Sequence, residues 1–251
     1  MDKLFIAVPP GLVRLALEEA VALELVSKEE SERMLATEGQ LTGGFEISGG
    51  LAEIQRANLH LRTASRVLLR LGAFYAKDFE TLKQNIGRLP WQRYFTNGTS
   101  LAARAESEGS LLYHEGAVER TVVEALIQRA GMLGLTVHEP QPGTEPDQRI
   151  LIRIVRNRCT ISLDTSGELL NRRGYRQALA KAPLRETLAA GMVLASGWDR
   201  RSPLVDPFCG SGTIPIEAAM LANQIAPGLR RSFAFQQWPI HDPAAWQSLT
   251  A

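Results

Sequence analysis

The residues best suited by type and spacing to do chemistry lie in "LVDPFCGSGTIPIEAAM", Leu204 to Met220. Leu204 and Val205 read as a strand buried on both faces. Asp206 then falls at its carboxyl end, the edge where open α/β sheets take ligands. Gly210 and Gly212 bracket Ser211; lacking Cβ atoms, they admit positive φ and let a ligand approach the backbone. Thr213 suits a helix cap, Pro215 a first turn, and Glu217 the positive helix end. Free amides there favour an anionic or polar ligand group. The loop lacks the lysine of GxxxxGK[ST] and the GxGxxG spacing of a dinucleotide fold. It is not GxSxG either, which leaves Ser211 unsupported as a nucleophile. Nothing visible would depress the pKa of Cys209. On the residues alone, a ligand loop and a plain strand–helix turn both stand.

A second chemical feature is charge. Residues 1–50 hold four Lys/Arg against nine Asp/Glu, although the 251-residue chain carries a net +1. From Arg149 to Arg185 there are nine basic residues against Asp164 and Glu168, a local excess of seven. Such a stretch attracts phosphates or is a solvated surface. Cys159 and Cys209 are 50 residues apart, and the four histidines have no ligand spacing. These features point away from disulfides and metal and toward a reducing, cytoplasmic setting. No apolar run approaches the roughly 20 residues that span a membrane. The N-terminus has no basic lead or small-residue cleavage site and is not read as a signal peptide.

The elements that must position these residues follow from periodicity. "KLFIAV" predicts a strand, and Val13, Ala16, Leu17, Ala20 and Leu23 a helix. "GQLTGGFEISGG" is strand material. Leu51, Ile54, Ala57, Leu61, Ala64, Leu68 and Leu71 fall on one face of a second helix. Strand, helix, strand, helix predicts a small α+β unit. A further unit begins near Phe79 with a short helix carrying Leu82 and Ile86. It continues through the strand "TSLAARAES" and the helix "EGAVERTVVEALIQRAG", which is expected to stop at Gly131. "RILIRIV" and "CTISLD" form a hairpin around Asn157. Cys159, Ile161 and Leu163 are expected to pack, leaving Thr160, Ser162 and Asp164 open to ligand or solvent. The next helix is expected to bury Leu184, Leu188, Met192 and Ala195 and to end at Gly197.

"DPFCGSGTIPIEAA" closely resembles the S-adenosylmethionine loop of the THUMP-containing RNA guanine-N2 methyltransferases, nearest to those acting on large-subunit ribosomal RNA. The resemblance extends through "LDTSGELLNRRGYR", "APLRETLAAGMVLASGW", "IAPGLRRSFAFQQW" and "FIAVPPGLVRLALEEA". It implies an α+β ferredoxin-like unit (1–70) and a THUMP RNA-binding domain (71–170), then the start of an α/β Rossmann-like methyltransferase domain (171–251). Asp206, Pro207, Phe208, Cys209, Gly210, Ser211, Gly212 and Thr213 would form the cofactor loop. Pro183, Arg185 and Glu186 in "PLRETL" would border the cofactor's methionine end. Arg153, Arg156 and Arg158, with Arg172, Arg173 and Arg176 near the domain junction, would meet RNA.

The family's Asn/Asp-Pro-Pro-aromatic tetrapeptide, which positions the target amine, is absent. "HDPAAW" (His241 to Trp246) has Ala244 at the second proline position. Asp242 lacks a strand that would let it hold the cofactor ribose. The expectation is an unfinished methyl-donor pocket, inactive alone and completed by a further segment or chain. Residues from about Pro203 onward would then be poorly ordered or packed in a non-native way. Two other readings remain: a non-catalytic THUMP RNA-binding protein with a vestigial loop, and adenine-N6 methylation of nucleic acid.

Overall fold

Alternation in "DKLFIA" sends Leu4 and Ile6 wholly inside and turns Lys3 and Phe5 to the opposite face. This strand, β1 (Asp2–Ala7), leads into α1 (Val13–Ala22), α2 (Lys28–Ala36), β2 (Gly44–Gly49), α3 (Leu51–His60) and β3 (Arg66–Tyr75). The computed structural model describes residues 2–36, 43–176 and 184–250. α4 (Phe79–Gly87), β4 (Thr99–Glu108), α5 (Glu115–Met132), β5 (Val137–His138), β6 (Gln148–Val155) and β7 (Arg158–Asp164) follow. Helices α6 (Glu186–Ala195), α7 (Thr213–Ala222) and α8 (Pro243–Thr250) complete the described elements.

The seven strands form one sheet in the order β2-β1-β3-β7-β6-β4-β5. β4 pairs in parallel with β5 and β6; the other pairings are antiparallel. The β3–β7 ladder joins the first unit to the second. A bulge between Arg70 and Gly72 bends it. The β6–β7 turn has positive φ at Arg156 and Asn157, the hairpin geometry that Asn favours.

Several expectations need correction. The second helix stops at His60, and Leu68 and Leu71 lie in β3. The Glu19 carboxylate accepts hydrogen bonds from the backbone N–H groups of Arg62 (2.9 Å) and Thr63 (3.0 Å). Those donors are thereby withdrawn from a continuing helix, and the apolar spacing beyond is coincidental. α5 runs past Gly131 to Met132; Gly134, at φ 74°, takes the left-handed stop. Ser162 and Asp164 are not open. Arg70 donates to Ser162 Oγ (2.8 Å), and Arg66 pairs with the wholly buried Asp164 carboxylate. α6 presents the opposite face from the one expected: Ala189, Ala190 and Val193 are buried, while Met192 is 54% exposed. Gly191 lies against Leu12 so closely that an added Cβ would fall 2.8 Å from it, and this contact fixes the buried side.

Residues 204–208 form no strand, contrary to expectation; Val205 is 82% and Phe208 93% exposed. Pro203 and Pro207 offer no N–H, and among the described residues no strand lies alongside to pair with. The expectation of loose packing from Pro203 onward is nevertheless wrong for residues 226–238. Gly228 donates to Leu59 O (2.9 Å), and an added Cβ would fall 2.9 Å from Asn58 O. Phe235 is fully buried, and Trp238 donates to Gln148 Oε1 (2.9 Å). Arg231 donates to four carbonyls, those of Ser166, Glu168, Leu169 and Arg172. The segment is a strap that seals the end of the sheet.

Beneath it lies a buried ionic cluster. Arg173, 2% exposed, donates to Leu170 O (2.6 Å) and Arg62 O (2.5 Å), and lies 3.5 Å from Glu217 on α7. The Tyr175 hydroxyl donates to Glu217 (3.1 Å), and Arg62 donates to Ile225 O (2.7 Å). Burial raises the Glu217 carboxyl above its usual range against the pull of Arg173, Tyr175 and Arg62. Glu217 was expected to complement a helix end; it anchors α7 to the N-terminal units instead. Glu217→Ala is expected to cost about 3–5 kcal/mol, because it strands a buried guanidinium. The check is a lower urea midpoint with an unchanged slope.

Candidate functional site

Two prolines and three positive-φ glycines, Gly197, Gly210 and Gly212, shape the loop between α6 and α7. Asp206 Oδ1 accepts from the Phe208 N–H (3.1 Å), and Gly212 donates to Cys209 O (2.8 Å). Gly210 has φ 53° and Gly212 φ 77°. An added Cβ at Gly210 would meet nothing within 4 Å, so its side of the loop faces open space. Gly212 is the helix cap and offers no side-chain bond; Thr213 is the first helical residue rather than the expected cap. The first amides of α7 lack intrahelical acceptors and carry the positive end of the helix dipole.

Thr213 Oγ1 lies 3.3 Å from Ser211 Oγ and 3.5 Å from an Arg176 guanidinium nitrogen. Arg176 also reaches Glu186 (2.9 Å) and Leu184 O (3.0 Å), and Asn171 donates to Glu186 (3.4 Å). The structure thus brings together Glu186, Ser211, Gly212 and Thr213, all expected at the cofactor, with Arg176, expected at RNA. Arg176 Nη1 is buried with no hydrogen-bond partner among the described residues, a donor beside the helix N-terminus. Open glycine positions, unpaired amides and a spare guanidinium N–H suit a small polar or anionic group. Arg185 is exposed at the α6 cap. Asp206, Pro207, Phe208 and Cys209 follow one another along the outer loop, where Cys209 is exposed. Pro183 lies outside the described residues.

The arginines expected at RNA separate into distinct environments. Arg153 and Arg158 are exposed on the sheet face away from the helices, and Arg156 is exposed in the β6–β7 turn. None of the three has a side-chain ion pair or hydrogen bond among the described residues. Arg172 is exposed but paired with Glu168 (2.8 Å). Arg173 is enclosed in the ionic cluster, which removes it from any surface RNA could touch. Sequence reasoning missed Arg62, Tyr175 and Arg231, whose partners are 42 to 163 positions away. It also missed α2, although Ser27 and Glu30 form a reciprocal capping box there that S-x-x-E spacing signals. "HDPAAW" has a structural role: Asp242 accepts from the N–H groups of Ala244 and Ala245, and Trp246 packs edge-on against Phe233 and Phe235. No helix among the described residues is long and apolar enough to cross a membrane.

Residues 3–68 match the RlmL ferredoxin-like domain, 76–164 the THUMP domain, and 173–249 the RMKL-like methyltransferase domain. A ribosomal RNA large subunit methyltransferase K/L from Syntrophotalea carbinolica is 34% identical over 98% of this chain and 34% of its own length. The chain therefore spans about a third of that relative. A crystal structure of a predicted N6-adenine-specific DNA methylase from Listeria monocytogenes superimposes with a TM-score of 0.84. It is 32% identical and is matched over 99% of this chain and 62% of its own. SMU.472, crystallised in complex with SAH, gives a TM-score of 0.82 at 32% identity, over 99% of this chain and 63% of its own. A ferredoxin-like match, a THUMP match and an RMKL-like methyltransferase match thus follow one another along the chain, which is similar over nearly all of its length to ribosomal RNA large subunit methyltransferase K/L.

Proposed function

We propose that these residues form the RNA-binding and cofactor-loop portion of an S-adenosylmethionine-dependent methyltransferase acting on guanine N2 of large-subunit ribosomal RNA. The observation that carries this reading is the meeting of Arg176, Glu186, Ser211 and Thr213 at the N-terminus of α7, next to the open Gly210–Gly212 turn. S-adenosylmethionine supplies the methyl group. Arg176 Nη1 and the first amides of α7 would hold its methionine end, with Arg185, Glu186 and Pro183 bordering it. Asp206 to Gly212 would line its flank. Bound SAH in SMU.472 supports this choice of cofactor. The domain limits proposed are 1–70, 71–170 and 171–251.

Guanine N2 needs a group that seats the amine and takes up its proton as the methyl arrives. The Asn/Asp-Pro-Pro-aromatic tetrapeptide is not among these 251 residues. Transfer therefore requires a further segment or chain that carries it, and these residues alone would be inactive. Adenine N6 is a second reading, favoured by the description of the Listeria relative. Nucleoside analysis of RNA methylated by a complete enzyme separates N2-methylguanosine from N6-methyladenosine.

Two outcomes test the proposal. In a chain that continues into the tetrapeptide, Gly212→Val is expected to abolish calorimetric binding of S-adenosylmethionine. A β-branched residue cannot adopt φ 77° without strain of about 1–3 kcal/mol. RNA affinity should survive this change; cofactor affinity equal to that of the unsubstituted chain would remove the loop from the site. The second concerns Arg153, Arg156 and Arg158. If these three make the phosphate contacts, log K against log salt should fall with a slope of about −2 on single strands. Affinity insensitive to salt would remove them from the RNA surface.

A further inference from the structure

Among the described residues, the helices that pack on the seven-stranded sheet share one core with its inward-facing side chains. Ile150, Ile152 and Ile154 of β6 and Cys159, Ile161 and Leu163 of β7 point into the core they cover. The alternate residues point the other way. On that face Tyr75, Arg158 and Val155 form one cross-strand row, and Ala73, Thr160 and Arg153 form the next. Arg70 and Ser162 follow in a third row. The bulge after Arg70 absorbs one residue of β3 and keeps Arg70, Ala73 and Tyr75 on the same side.

Tyr75 is 66% exposed and has no ring contact among the described residues. Together with Arg70, Arg153, Arg156, Arg158 and Thr160 it lines a shallow cavity of about 410 Å³. Arg70 is committed, stacked over Phe5 (4.4 Å) and paired with Glu46 (3.0 Å). The other three arginines are not. An aromatic ring flanked by guanidinium groups that make no ion pair among the described residues, on an open sheet, matches the chemistry of unpaired bases and their phosphates. A duplex hides its base faces and gains nothing from Tyr75.

Position supports the same occupant. Toward β4 the patch ends in Glu106, opposite Arg153, and Glu108, opposite Val155. These carboxylates repel phosphate and confine a strand to the β3–β7–β6 side. Along β6 the same face leads from Val155 down to Arg149, about 20 Å at strand rise. Arg149 borders a second cavity of about 510 Å³ with Arg172, Arg230 and Arg231, at the junction with the methyltransferase segment. A three-nucleotide track, the length that sheet platforms hold, would end beside that junction.

We propose that this open face binds unpaired RNA, with Tyr75 as the stacking platform for a base and Arg153, Arg156 and Arg158 as its phosphate contacts. The proposal rests on the RNA-binding reading above and adds the strandedness of the ligand. The test is fluorescence anisotropy of the 251-residue chain with a labelled nine-residue oligouridylate and with a blunt 16-base-pair RNA duplex. Tyr75→Ala should weaken oligouridylate binding about 5- to 100-fold, the range for loss of one stacking ring, and leave the duplex unaffected. Tyr75→Phe should stay within about twofold of the unsubstituted chain, since stacking needs the ring rather than the hydroxyl. An unchanged thermal melt keeps these effects local. An oligouridylate affinity that Tyr75→Ala leaves intact, or an equal loss on the duplex, overturns the platform while RNA binding stands. Failure of the unsubstituted chain to bind either probe overturns the RNA-binding reading and the platform with it.

Discussion

The Arg173–Glu217 contact is the constraint on which the arrangement depends. It joins three stretches far apart in sequence: the end of α3 through Arg62, the linker after β7 through Arg173 and Tyr175, and α7 through Glu217. Burying two charges costs several kcal/mol per ion, so the pair is weak evidence for net stability. It is strong evidence for position. Any displacement of α7 would leave a guanidinium or a carboxylate unpaired at low dielectric. α7 carries at its N-terminus the Asp206–Gly212 loop proposed to meet the cofactor, one turn before Glu217. The cluster therefore fixes the direction in which the loop amides point relative to the sheet that presents the free arginines.

The strap over residues 226–238 acts on the same junction by different physics. It buries Phe233, Phe235 and Trp238, aromatic surface that stabilises by area removed from water. Gln148 donates to its Ala234 carbonyl, and its own Arg231 side chain donates to the carbonyls of Ser166, Glu168, Leu169 and Arg172 after β7. Burial lowers the Arg231 pKa to about 10, still far above neutrality, so its charge persists. α6, the loop and the first half of α7 have no such cover. Met192, Val205, Phe208 and Ile216 remain exposed, and the backbone at 204–208 lacks ladder partners. The methyltransferase segment is thus rigid where it meets the N-terminal units and open where the cofactor reading places its ligand.

Much of this was legible in the sequence because its cause was local. Apolar composition located β1 and β6, period-two alternation assigned the packed side of β7, and Asn157 located the β6–β7 hairpin turn. The spacing of Gly210 and Gly212 marked the positive-φ turn at the start of α7. What was not legible had distant causes. α3 ends where it does because Glu19, some 40 residues earlier, takes the amides of Arg62 and Thr63. α6 shows its less apolar face to the core because Gly191 fits against Leu12. Leu204 and Val205 have strand composition, but a strand needs a neighbour as well as a composition. Arg173 and Arg176 read as surface charge, and only their partners on α7 and α6 reveal a positioning role.

Separating the arginines in this way changes what the basic stretch means. A local excess of seven positive charges suggests one continuous electrostatic surface, but the fold divides it. Arg173 and Arg176 are spent on α7 and Glu186, and Arg149 and Arg172 are each half-neutralised by a glutamate four residues away. Exposed pairs of that kind contribute little to stability, about 0–1 kcal/mol, but they subtract directly from the local field. Among the described residues, Arg153, Arg156 and Arg158 stay unpaired around the exposed Tyr75 of the open face, and Arg185 stays unpaired at the α6 cap. Charge attracts any nucleic acid at long range, whereas a free ring rewards only a base that has left its stack. On the reading proposed here, placing both on an open sheet face, with a carboxylate edge at β4, would convert general attraction into a preference for unpaired RNA.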